Sequence, residues 1–194
     1  MYVKPTIIIT VLQVIILGMS KVFYDKPIID QIFEEFDKGF EQDQDKLINL
    51  ISRLPPEDIN KQDNGGYTVL MLVIINEYND KIIKLLLEKE GMSINIQNSD
   101  GDTLLIYASL CNYTELVKLL LEKEGINVNI QNSDGNTALT YASCYNYVEI
   151  VKLLLEHADI DVNIQDNNGE TPLMVASKNE CTEIVKLLKN YQKN

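Results

Sequence analysis

The sequence predicts an all-α solenoid of stacked helix-turn-helix units joined by β-turn loops. Three observations predict it. The heptapeptide "NIQNSDG" stands at 95–101 and again, letter for letter, at 129–135. Threonines at Thr68, Thr103, Thr137 and Thr171 are spaced 35, 34 and 34 residues apart. Each interval also carries apolar residues at helical spacing, and self-similarity at a period of about 20–50 residues is the mark of a repeat array. The chain has 194 residues, enough for one good-sized domain or one short array.

The first twenty residues stand apart. From Thr6 to Met19 there is no charge, a 14-residue run that falls short of the ~20 residues a spanning helix needs. Lys4 precedes the run, and Gly18-Met19-Ser20 has the small-x-small form of a signal-peptidase site. Residues 1–20 therefore read as a secretory signal peptide cleaved after Ser20, which implies an exported or periplasmic protein. A retained membrane anchor is the alternative, and a segment packed on the domain or a true start at Met19 leaves the protein cytoplasmic.

Residues 25–56 read as two helices, with Ile28, Ile29, Ile32, Phe33 and Phe36 at helical spacing and Pro55-Pro56 stopping the second. They form a degenerate leading unit that caps the array. Residues 57–194 then hold four units, aligned as 59–91, 94–125, 128–159 and 162–194. In each, Gly66, Gly101, Gly135 or Gly169 permits the positive φ of a tight turn. The threonine two residues later is an N-cap, its hydroxyl accepting from free first-turn amides. Pro172 suits the first helical position. The first helix ends near Ser109, Ser143 or Ser177, where Asn112 and Asn146 tolerate left-handed geometry. The second helix repeats Leu116, Val117, Leu119, Leu120 and Leu121 as Ile150, Val151, Leu153, Leu154 and Leu155. Its polar face repeats Glu115–Lys118, Glu149–Lys152 and Glu183–Lys186, a solvated face rather than a set of catalytic carboxylates. Lys189, Asn190, Gln192, Lys193 and Asn194 make the last helix polar, as a terminal cap requires.

The residues "DGNTALTYASCYNYVEIVKLLLEHADIDVN", "GETPLMVAS" and "TEIVKLL" resemble the ankyrin repeat. The resemblance covers 59–194, in four units that agree in register. Departures from the pattern are few. The histidine of the family's T-P-L-H motif is replaced by Met71, Ile106, Thr140 and Met174, which predicts weaker polar support in the turn. Asn112-Tyr113, Asn146-Tyr147 and Glu180-Cys181 stand where the family writes Gly-His. One residue is added after the second helix, against the usual 33, and another near Asn79–Lys81.

Repeats contact only their neighbours, so the array presents a long concave face. The resemblance implies that a protein partner binds there, along turn tips and first helices. Carried over by position, the tip residues are Asn64, Gly65 and Tyr67; Ser99, Asp100 and Asp102; Ser133, Asp134 and Asn136; Asn167, Asn168 and Glu170. The helix-end positions are Leu110, Cys111, Cys144, Tyr145, Lys178 and Asn179. Tyr145 either anchors a partner or shields the next unit. The acids give the tips a negative cast, although Asp before Gly is also good turn chemistry.

Other functions are excluded by composition and spacing. The net charge is −12 and Arg53 is the only arginine, so nucleic acid is not a partner. His157 is the only histidine, and with Cys111, Cys144 and Cys181 about one period apart it makes no zinc site. Stacked units lie about 10 Å apart, beyond disulfide reach, so the thiols are expected free and buried or partly buried. Neither an activated nucleophile nor a phosphate loop is present. The sequence thus reads as a monomeric, non-catalytic, cofactor-free binding module. The alternative is a membrane-tethered scaffold in which residues 6–19 remain attached.

Overall fold

A computed structural model of the protein describes residues 26–37, 44–76 and 80–192. The expected leader at 1–20, the added residue at Asn79, and Lys193 and Asn194 lie outside the described residues. Ten α-helices occur among them: α1 (Ile28–Asp37), α2 (Gln44–Arg53), α3 (Val69–Ile75), α4 (Asp80–Leu87), α5 (Leu104–Leu110), α6 (Thr114–Leu121), α7 (Ala138–Cys144), α8 (Val148–Leu155), α9 (Pro172–Lys178) and α10 (Thr182–Tyr191). None is long and apolar enough to cross a membrane. Extended pairing among the described residues is limited to an isolated bridge between Gln62 and Thr68.

The helices form two rows. α1, α3, α5, α7 and α9 stack in one; in the other α2 packs on α4, and α6, α8 and α10 stack in turn, with a Lys123–Leu87 bond joining the two parts. Each helix also packs on its own hairpin partner. The core runs the length of this double row, through Leu47 and Ile51, Leu70 and Val73, Leu105 and Ala108, Val117 and Leu120, Leu139 and Ala142, Val151 and Leu154, and Ile184 and Leu188. Each fully buried Leu or Val contributes about 1.5–3 kcal/mol, and a single hairpin has only one side on which to gain it.

Local chemistry fixes where the helices start and stop. Thr68, Thr103, Thr137 and Thr171 cap α3, α5, α7 and α9, each hydroxyl accepting from the amide three residues on. Asn112 and Asn146 end α5 and α7 at φ 59° and 61°, and Glu180 takes φ 58° after α9, where its side chain offers none of the local help an Asn gives. The first helices run one residue past the expected serines, to Leu110, Cys144 and Lys178. The expected loss of polar support in the turn is corrected in the third unit. There Thr140 returns the favour to its cap, its Oγ1 accepting from the Thr137 amide at 3.3 Å. Of the three i, i+3 pairs on the second helices, Glu149–Lys152 closes at 2.7 Å, and Lys152 also reaches Glu183 of the next unit at 3.7 Å.

The repeated heptapeptide is explained by bonds that cross between units. The Gln97 side-chain amide donates to the Gly101 carbonyl at 2.6 Å and to the Gln131 carbonyl of the following unit at 3.1 Å. Gln131 does the same to Gly135 and Gln165, and Gln62 to Gly66 and Gln97. Asn95 donates to the Gly125 carbonyl and accepts from the Asn127 amide, and Asn60 and Asn129 repeat the pattern. On the second helices, Lys123 donates to the Leu87 carbonyl and Lys89 to that of Leu54. His157 occupies the same register, but its Nδ1 accepts locally from the Asp159 amide.

The glycine of the heptapeptide has a steric role as well. Gly135 sits at φ 79°, and a Cβ there would lie 2.7 Å from the Asn167 nitrogen of the next turn. Gly169 has the same φ region, 77°, with nothing within 4 Å. Gly169→Ala is expected to cost about 1–2 kcal/mol for the left-handed backbone alone. Gly135→Ala adds an overpacking cost of about 1–3 kcal/mol, and urea unfolding of the two variants reads the difference. Equal losses would show that the turns do not touch.

Ser109 and Ser143 carry buried hydroxyls with no hydrogen-bond partner, whereas the Ser177 hydroxyl donates to the Leu173 carbonyl at 2.7 Å. Ser143→Ala is therefore expected to raise stability by about 1 kcal/mol. Ser177→Ala should stay within about 0.5 kcal/mol of the parent in the same assay.

Candidate functional site

Four turn tips are held in one row by side chains and by backbone. Asp63, Asn98, Asn132 and Asp166 each use Oδ1 to accept two amides, those two and four residues ahead, at 2.8–3.1 Å. Such Asx geometry fixes the turn without any packing partner. Successive tips are then stitched together. The Ser99 amide donates to the Gly65 carbonyl at 3.0 Å, Ser133 to Asp100 at 2.8 Å, and Asn167 to Asp134 at 3.0 Å. Asn64, Ser99, Asp100, Ser133, Asp134, Asn167 and Asn168 are all exposed along this row.

Behind the tips lies a second row, the residues before the cap threonines: Tyr67, Asp102, Asn136 and Glu170. All four are half-buried and bound within the protein, Asn136 through its side-chain bond to Tyr141. The Tyr107 hydroxyl donates to that of Tyr67 at 3.2 Å, with ring centroids 6.2 Å apart. Asp102 accepts from the Asn132 side chain at 2.8 Å, and Glu170 pairs with Lys178. The third row comprises Tyr107, Tyr141 and Val175 of the first helices. Asn98 donates to the Tyr107 hydroxyl and Asn132 to that of Tyr141, both at 3.0 Å. These Asn–Tyr pairs, nine residues apart, escaped a reading based on exposure. Their recurrence at one offset in two units was the available signal.

The far rim holds the helix ends. Leu110 and Cys144 are half-buried, and Cys111, Tyr145, Lys178 and Asn179 are exposed. Exposure of Cys111 corrects the expectation of a buried or partly buried thiol at that position. It follows α5 at the helix end, outside the seam between stacked helices. Tyr145 is 52% exposed and stacks on Tyr147, with centroids 5.8 Å apart and planes at 23°. The Asn179 side chain reaches back to the Cys144 carbonyl at 3.3 Å. The structure brings tip and helix end together at the joint of the third and fourth units, where Asn136, Cys144, Glu170, Lys178 and Asn179 line one cavity. His157 lies elsewhere, at the end of α8. Among the described residues no cluster of three His, Cys, Asp or Glu groups could hold a metal.

The electrostatics of this face are uneven. Burial raises the Asp102 pKa, and the nearby charges of Asp100 and Asp134 push it further against the help of Asn132. Burial likewise raises Tyr107, together with its bond to Tyr67, and raises Tyr141. Asp166 goes the other way. Burial opposes its charge, but the amides of Glu170 and Asn168 outweigh it and hold the carboxylate ionised below its ordinary range. Burial raises the Cys181 thiol, which leaves it a poor nucleophile.

A raised carboxyl pKa stabilises the fold below the unfolded value and loses that contribution as pH rises through the folded one. Asp102→Asn keeps the acceptor for Asn132 and removes the charge. Its stability relative to the parent is expected to improve from about pH 3 to about pH 7, as read from urea midpoints. A difference that does not change with pH would mean that Asp102 carries no strained charge.

Comparison with known proteins places this architecture. A family model described as ankyrin repeats (3 copies) matches residues 40–132 and 124–194. A probable serine/threonine-protein kinase of Dictyostelium discoideum is 46% identical over 50 residues. That stretch is 26% of this chain and 6% of the kinase, so the chain spans only a small part of that relative's length.

Proposed function

The chain belongs to the ankyrin-repeat family, and on that premise we propose that it binds a protein partner, without catalysis, along the face formed by its turn tips and first helices. Ankyrin repeats are generally protein–protein interaction modules. The observation that carries the proposal is the row of tips whose backbone amides are bonded inside the protein while Ser99, Asp100, Ser133, Asp134 and Asn167 are exposed. A surface ordered before binding loses little entropy on association.

The partner surface is basic or polar. Asp102, half-buried beside Asp100 and Asp134, is disfavoured in its charged form, and a cation placed over these tips would relieve it. Tyr145 supplies the amphipathic contact at the opposite rim, already braced by Tyr147. The test is affinity capture from native extract with the parent chain, followed by titration of the recovered partner. Tyr145→Ala combined with Asp134→Asn is expected to weaken binding at least about tenfold while helicity is unchanged. Unaltered affinity would refute the assigned face.

A further inference from the structure

The polar seam behind the turn tips is filled in the middle of the array and empty at its last joint. Between the first and second units, Tyr107 reaches across to Tyr67. Between the second and third, Asn132 ties Tyr141 to Asp102. In both, an Asn of the turn donates to a Tyr nine residues on. In the fourth unit the corresponding positions hold Asp166 and Val175, so the ring is absent. A cavity of about 260 Å³ opens there, lined by Asn136, Tyr141, Cys144, Asp166, Val175 and Lys178 among others.

From this we infer that the joint between the third and fourth units is a socket for one tyrosine side chain of the protein partner, a reading that rests on the proposed binding face. The volume falls below the roughly 300–1,000 Å³ of pockets that enclose a whole small ligand. The floor suits a ring, because Val175 stands where the two preceding units carry Tyr107 and Tyr141, and its shorter side chain lines the cavity beside the Tyr141 ring. The rim demands a donor. Asp166 spends Oδ1 on the Asn168 and Glu170 amides, and its Oδ2 accepts one long bond from the Asn168 side chain at 3.5 Å, which leaves that oxygen a second lone pair for a phenol O–H. Phenylalanine lacks the donor, and phosphotyrosine brings negative charge against Asp166 and Glu170. An arginine or lysine would compete with Lys178, which already neutralises Glu170 at the rim.

The experiment is amide-shift titration of the full chain by nuclear magnetic resonance with N-acetyl-tyrosinamide. The parallel ligands are the phenylalanine, phosphotyrosine and arginine analogues, and p-cresol. Tyrosinamide is expected to shift the Cys144, Glu170, Val175 and Lys178 amides. It should bind at least about tenfold tighter than phenylalaninamide, the worth of one hydrogen bond to a charged acceptor. Val175→Tyr, which completes the seam from within, should fold with an unchanged or higher melting temperature and abolish those shifts. If that variant fails to fold, the ligand series on the parent chain decides. Equal binding of tyrosinamide and phenylalaninamide, preference for the arginine or phosphotyrosine analogue, or shifts scattered away from the joint would overturn the socket. So would binding of p-cresol alone, which would point to a small free phenol.

The two proposals fail separately. A partner lost with Tyr145 and Asp134 while tyrosinamide does not bind overturns the socket and spares the face. Tyrosinamide binding beside a partner indifferent to those substitutions supports the socket and refutes the face.

Discussion

The structure depends on hydrogen bonds that leave one unit and end on the backbone of the next. A helix of seven or eight residues is too short to be stable in water by propensity, and a lone hairpin exposes half of its apolar surface. Hydrophobic stacking supplies most of the free energy but does not specify register, since a Leu slides against its neighbours with little penalty. The glutamine of each loop removes that freedom. Its amide has two donors, one closing its own turn and the other taken by the following loop, so a slipped unit would strand a polar group. A net contribution of about 1 kcal/mol per bond is modest, while the cost of an unmade one enforces alignment.

The candidate binding face is a by-product of this constraint. Once each loop is clamped to the next, the tips become a rigid row and their side chains are free to vary without harm to the fold. Chemistry accumulates where the clamp permits it: acids at Asp100 and Asp134, phenols behind them, an aromatic rim at Tyr145. The same clamp brings Asp102 close to two other carboxylates, and a fold without such a clamp would let them drift apart. Rigidity therefore has an electrostatic cost here, and a basic partner is the natural way to relieve it.

Much of this was legible in the sequence because repetition makes a register visible. The threonine caps, the turn glycines and the left-handed Asn112 and Asn146 each follow from a residue's own conformational chemistry, which a sequence states directly. What stayed hidden were properties that belong to pairs. Gln97 gives no sign that its acceptors are the carbonyls of Gly101 and Gln131, since backbone groups carry no residue identity. Thr140, read as a lost histidine, turned out to bond its own cap. Cys111 and Cys144 share a near-equivalent place in their units, yet one is exposed and the other half-covered. The site was legible as a set of positions, and Tyr67 and Asp102 belong as much to internal bonds as to the surface.

Position in the stack, more than residue type, decides what is buried. Met71 and Ile106 are almost wholly enclosed, while Met174 in the same register is 51% exposed. Ser109 and Ser143 are sealed with unpaired hydroxyls, while Ser177 in the same register is open and bonds its own helix. Gly66, Gly101 and Gly135 are pressed against the following turn, while Gly169 meets nothing. Each contrast has one cause, the presence or absence of a following unit on that side among the described residues. The empty joint at Val175 differs in kind. Both of its flanking units are present, so the lack of a neighbour cannot explain the gap. There the vacancy comes from the side chain itself, a valine too short to fill the place that Tyr107 and Tyr141 occupy in the two preceding units.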